Sequence, residues 1–222
     1  MSHTQELTAS DQHRFTAYVA EPDHTPRGVI IVLQEIFGVN RHIRSVCDRL
    51  ANAGFIAVAP ALFDRLEPGY ETGYAPEDVA RGRALLANFS FDTAALDVIA
   101  AIDHFKARGP VSVIGFCMGG SLAYKVATQH SGLAGAVCYY GGRIPEFADT
   151  SPLCPTILHF GEQDASIPMA NVDTVRSKQP KLPVYTYPAG HGFNCDIRDS
   201  YEPVSAKVAW ERTLKLITEV SS

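Results

Sequence analysis

A mostly parallel, doubly wound sheet flanked by helices, in one domain over residues 1–222, is the fold this chain predicts. Three observations point there. Continuous apolar, β-branched runs at 29–33, 55–59 and 111–114 are bounded by turn residues, as strands buried on both faces are. Patterns of helical period separate these runs, so the strands are joined by crossover helices and lie parallel. The third run passes through a glycine-rich turn directly into a helical pattern that opens after Gly120.

Taken in order, residues 1–12 form a polar lead-in, and 14–20 alternate as a strand does. Pro22, Pro26 and Gly28 turn the chain into the apolar strand 29–33. Asn40 is placed to cap a helix that runs to about residue 53 and stops at Gly54. The strand 55–59 ends at Pro60. Residues 60–75, with Pro68, Gly69 and Gly73, form a long loop of the kind that serves as a lid or pocket wall. Helical patterns cover 76–87 and 92–107, and Gly109-Pro110 closes that segment. Later strands are expected at 133–140, 155–160 and 184–187, and later helices at 168–178 and 202–220.

Composition narrows the function. With 46% hydrophobic and 19% charged residues the chain has enough apolar material for a sizeable core. A formal charge of −5 gives no basic excess for binding nucleic acid or an anionic membrane. No apolar run has the length to cross a bilayer, and residues 1–8 lack a basic and an apolar region of the secretory kind. The five cysteines are scattered, odd in number and without a CxxC pair, which favours free thiols in a reducing, cytoplasmic location.

The chemistry centres on Gly115-Phe116-Cys117-Met118-Gly119, a G-x-C-x-G turn between a strand and a helix. It matches the nucleophile elbow of the α/β-hydrolase fold, where the apex residue sits strained above the sheet. The amide of Met118 then lies at a helix N-terminus and faces a developing oxyanion. A thiol attacks as its thiolate, so it needs a base and a group to orient that base. His191 lies in a Gly-His-Gly turn after one strand, and Asp164 follows Gly161 at the end of another. Nucleophile, acid and histidine come in the order this fold uses. Singly, Cys117 is also a small core residue, Asp164 a helix cap and His191 a polar turn residue; three strand ends together favour a catalytic set. None of the eight histidines forms an HxH or HxxxH pair, so neither a metal nor another cofactor is expected.

Four separated blocks carry a family resemblance: Gln34-Glu35-Ile36-Phe37-Gly38, the elbow, Gly161-Glu162-Gln163-Asp164, and Pro188-Ala189-Gly190-His191-Gly192-Phe193. Together they resemble the dienelactone hydrolase family over nearly the whole chain. The resemblance implies an α/β-hydrolase that opens an ester or lactone through Cys117 as nucleophile, His191 as base and Asp164 as its orienter. It also implies that Glu35 helps to activate the cysteine once substrate binds. Glu35 ends a buried strand on the loop that in this fold supplies a second oxyanion amide, here Ile36. Members that act on the dienelactone grip its carboxylate with two arginines. Arg81 or Arg83 suits the first, whereas Cys195 stands where the second is expected, with Arg198 displaced along the chain. Phe37, Tyr140 and Phe193 are the further substrate contacts expected. The partner is thus a small ester or lactone, and the oligomeric state is left between monomer and small homo-oligomer. A thioesterase or general carboxylesterase with the same set, and a redox-responsive thiol protein, are the alternatives.

Overall fold

The computed structural model describes residues 1–222. Its strands are β1 (Ser2–Thr8), β2 (Arg14–Ala20), β3 (Val29–Leu33), β4 (Ile56–Pro60), β5 (Val111–Phe116), β6 (Gly135–Tyr139), β7 (Thr156–Gly161) and β8 (Val184–Tyr187). They form one sheet in the order β1-β2-β4-β3-β5-β6-β7-β8. From β4 to β8 every neighbouring pair is parallel, while β1 and β2 run antiparallel at one edge. This is the doubly wound α/β-hydrolase arrangement that the sequence predicts.

The apolar runs become β3, β4 and β5 because a strand covered on both faces exposes no residue that must be polar. Every residue of these three strands is buried. The covering helices are α1 (Arg41–Asn52), α2 (Pro76–Leu86), α3 (Phe91–Phe105), α4 (Met118–Gln129), α5 (Ile144–Phe147), α6 (Met169–Lys178) and α7 (Pro203–Glu219). Helices α3, α4, α5 and α6 pack in sequence against one another. Helix α1 meets α7, where the Arg49 guanidinium lies 4.5 Å from the Trp210 ring. Asn40 caps α1 by accepting from the Ile43 amide. No single helix is long and apolar enough to cross a membrane.

Two expectations need correction. Residues 1–12 are not a lead-in: Ser2–Thr8 is an edge strand in register with β2, with Leu7 opposite Phe15. Strand pairing is made by the backbone, so a polar segment with only Leu7 and Ala9 buried still joins the sheet. Residues 60–75 are irregular as expected, but most of them are packed down and only Tyr74 reaches the site, at Glu35 and Arg198. Leu62, Phe63 and Tyr70 are buried there, and Asp64 accepts from the amides of Thr16 and Gly69 at 2.9 and 2.8 Å. The short helix α5 was not legible, since four residues are too few for a periodicity to develop.

Candidate active site

β5 delivers Cys117 to the carboxyl end of the sheet, and α4 begins one residue later. Cys117 has φ 55° and ψ −117°, a conformation that costs a non-glycine residue roughly 1–3 kcal/mol and that the surroundings must enforce. They do so from both sides. The Cys117 amide donates to the Tyr139 carbonyl at 3.0 Å, and the Gly119 amide to the Gln34 carbonyl at 3.1 Å. The glycines are sterically required: a Cβ on Gly115 would lie 1.9 Å from the Gly119 carbonyl oxygen, and one on Gly119 would lie 2.4 Å from that of Leu33.

Asp164 and His191 come to the same end from β7 and β8. Asp164 is held in place through Oδ1, which accepts from the amides of Ser166 and Ile167 at 2.8 and 3.1 Å. Its Oδ2 lies 2.7 Å from His191 Nδ1. A carboxylate only accepts, so Nδ1 carries the proton and Nε2 is left for the Cys117 sulfur, with which the ring interacts. Burial works against an imidazolium here, but attraction to an ionised Cys117 sulfur and the bond to Asp164 outweigh it and raise His191 to about 10.

Glu35 is buried just beyond β3. Arg198 Nη1 donates to its Oε1 at 3.0 Å, and the Tyr74 hydroxyl donates to its Oε2 at 3.3 Å. The Arg198 guanidinium also lies 5.5 Å from the Phe37 ring and 5.6 Å from the Tyr74 ring. Cys195 sits beside this pair, and burial, helped by the Glu35 charge, pushes its thiol up to about 12. His42, from the first turn of α1, is pushed down by burial. Glu35, His42 and Cys195 are the one group of metal-capable donors that the fold gathers.

Cys117 and His191 open into a cavity of about 350 Å³. Ile36, Phe37, Val79, Leu86, Phe91, Met118 and Ile167 make its walls apolar, and Arg83, Arg143 and Arg198 bring cationic heads to it. Helix α2, through Val79, Arg83 and Leu86, is the wall on the side where the 60–75 loop was expected. The Ile36 amide donates to no backbone carbonyl, and Met118 is the first residue of α4, where amides have no partner within the helix. Neither amide is committed to a backbone carbonyl, and both residues line the cavity. A larger hollow of about 660 Å³ lies at the opposite end of β7 and contains none of these residues.

The structure brings together Cys117, His191, Asp164, Ile36, Met118, Phe37 and Arg83. It places three expected contacts elsewhere. Arg81 turns away to pair with Glu67 and to lie over the Tyr70 ring. Phe193 is fully buried among Tyr139, Tyr140 and Tyr187. Tyr140, at φ 37°, packs its buried ring 5.1 Å from that of His191 and lines no part of the cavity. Arg198 takes the place sought at Cys195: the turn behind His191 folds back through three residues before its side chain reaches the site. Arg143, which opens the short helix α5 after Gly142, gave no sequence signal.

Comparison with known proteins agrees with this fold. The model of the dienelactone hydrolase family matches residues 15–221. A Synechocystis sp. protein provisionally named a carboxymethylenebutenolidase is 37% identical, over 91% of this chain and 91% of its own length. Carboxymethylenebutenolidase 1 of Cupriavidus pinatubonensis is 29% identical, over 98% of this chain and 97% of its own. A crystal structure from Klebsiella pneumoniae, of a protein provisionally named a dienelactone hydrolase, superposes with a TM-score of 0.86 at 29% identity, covering 99% of each chain.

Proposed function

The chain belongs to the dienelactone hydrolase family, and on that premise we propose that it hydrolyses small carboxylate-bearing esters or lactones through a Cys117 thiolate. The observation that carries the reading is the shared opening of Cys117 and His191 into one cavity, with His191 tied to Asp164 at 2.7 Å. A redox-sensing thiol needs no such partner. The substrate's apolar body suits the walls, and its carboxylate suits Arg83 and Arg198. The cytoplasm, where thiols stay reduced, is the location that suits the mechanism.

In this mechanism Glu35 is engaged by Arg198 and Tyr74 until substrate arrives. A substrate carboxylate competes for the Arg198 guanidinium and releases Glu35, which takes the proton of the Cys117 thiol. The sulfur adds to the carbonyl carbon, and the oxyanion falls to the amides of Ile36 and Met118. Once the sulfur is ionised His191 takes a proton from solvent to become an imidazolium, and it gives that proton to the leaving oxygen as the C–O bond breaks. The neutral imidazole then removes a proton from water, which attacks the thioester. The thiolate leaves, the acid departs as its carboxylate with its proton lost to solvent, Glu35 returns the proton to Cys117, and His191, no longer beside a charged sulfur, releases its own to solvent.

A panel of activated esters and lactones, with and without a carboxylate, tests the substrate class. Carboxylate-bearing members turned over at least about tenfold more efficiently than neutral analogues support it, the effect of about 1.4 kcal/mol of ionic contact. Equal efficiency with both would leave a general carboxylesterase, and turnover of acyl thioesters alone would leave a thioesterase.

A further inference from the structure

Glu35, His42 and Cys195 come from the loop after β3, the first turn of α1 and the turn behind His191, and all three are buried. One donor atom from each lies within 4.8 Å of the others. His42 turns Nδ1 toward the Asp196 carboxylate at 3.4 Å, and its Nε2 is enclosed without any hydrogen-bond partner. A bare ring nitrogen in the interior is uncommon. An imidazole with a carboxylate at one nitrogen and the other left open has the arrangement of metal-binding histidines.

We propose that Glu35, His42 and Cys195 form a binding site for a thiophilic divalent cation of the zinc class. Imidazole, thiolate and one carboxylate oxygen suit a borderline-soft ion, whereas magnesium or calcium demands more oxygen ligands. The Tyr74 hydroxyl, which touches both Glu35 and Cys195, or a water completes four ligands. On binding, the Cys195 thiol gives its proton to solvent as the sulfur–metal bond forms, and His42 binds as the neutral ring. Bonds of about 2.0–2.3 Å require the three side chains to draw together by roughly an ångström. Glu35 offers the oxygen that Arg198 does not hold. A surface hollow is lined by Tyr74 and Arg198, the two residues that hydrogen-bond to Glu35. The cation holds Glu35 away from proton transfer, a consequence that rests on the role proposed above, whereas binding itself does not.

The test uses the Cys117→Ser variant, so that the catalytic thiol contributes nothing, titrated with Co²⁺ and then with Zn²⁺. One equivalent of Co²⁺ should give a thiolate-to-metal charge-transfer band that Zn²⁺ abolishes. Adding Cys195→Ser should remove the band. Asp196→Asn changes only a carboxylate on the surface and should weaken binding at least about tenfold with the fold intact. The absence of a band, or a band untouched by both changes, overturns the proposal and marks any binding as adventitious. If the band behaves as expected but Zn²⁺ leaves turnover of the parent unchanged, the site stands and the Glu35 role fails.

Discussion

Arg198 Nη1 donates to Glu35 Oε1 at 3.0 Å, and the same guanidinium lines the cavity that holds Cys117. One arginine thus neutralises a buried acid and faces the substrate. Arg198→Gln should therefore have two separable effects. It strands a charge that is 1% exposed, so stability should fall by about 3–5 kcal/mol, the usual cost of removing one partner of a buried pair. It should also raise KM for carboxylate-bearing esters at least about tenfold while leaving neutral esters near parental. Adding Glu35→Gln should restore most of the stability and none of the KM. Equal KM losses for both ester types would reduce Arg198 to a structural partner.

Glu35→Gln alone separates activation from ion pairing. With Glu35 held by Arg198 at rest, iodoacetamide labelling of Cys117 in the free enzyme should be unchanged. Turnover should fall by about two orders of magnitude, the scale of a lost general base. Near-parental turnover with a lowered melting temperature would assign Glu35 to the ion pair only.

The raised His191 has a pH signature. Its folded value of about 10 lies above the 6.5 of a free imidazole, so the stability it contributes is fully present below about pH 6.5 and is lost as pH climbs through about 10. The difference in melting temperature between the parent and His191→Gln should shrink over that window. The alkaline limb of kcat, which reports the substrate complex in which the sulfur is ionised, should likewise fall near 10 in the parent and vanish in the variant, the titration belonging jointly to the Cys117–His191 pair. Profiles that coincide would make His191 a bystander.

Gly119→Ala tests the elbow. Its Cβ would meet the Leu33 carbonyl oxygen at 2.4 Å, a backbone atom with nowhere to move. The helix must shift off β3, at a cost on the order of 1–3 kcal/mol or more. Activity should fall further than stability, because the Cys117 turn and the Met118 amide shift with it. A variant with parental turnover would contradict the rigid elbow.

Most of this molecule was legible because its information is local. β3, β4 and β5 announce themselves by unbroken apolar runs, and the elbow by glycines that a strained apex demands. Asn40 signals its cap in the same way. What the sequence hid depends on pairing and direction. β1 joins the sheet through its backbone, which carries no side-chain pattern. Arg81 and Arg83 are two residues apart on α2, so they lie about 200° apart around the helix; only the packing of α2 decides that Arg83 faces the cavity. Arg198 stands three residues beyond the position where the second arginine is expected. The turn from Gly192 to Arg198, in which the Cys195 amide donates to the Gly192 carbonyl and the Arg198 amide to that of Cys195, makes up that distance.

The central claim is that Cys117 becomes covalently acylated, and rapid-quench mass spectrometry during turnover of a slow activated ester tests it directly. The parent should gain the mass of one acyl group within the burst, located on the peptide that contains Cys117. Cys117→Ala should gain none and should lose at least about three orders of magnitude in turnover with its melting temperature kept. Turnover that survives in Cys117→Ala, or an acyl group found on another residue of the parent, would contradict the account.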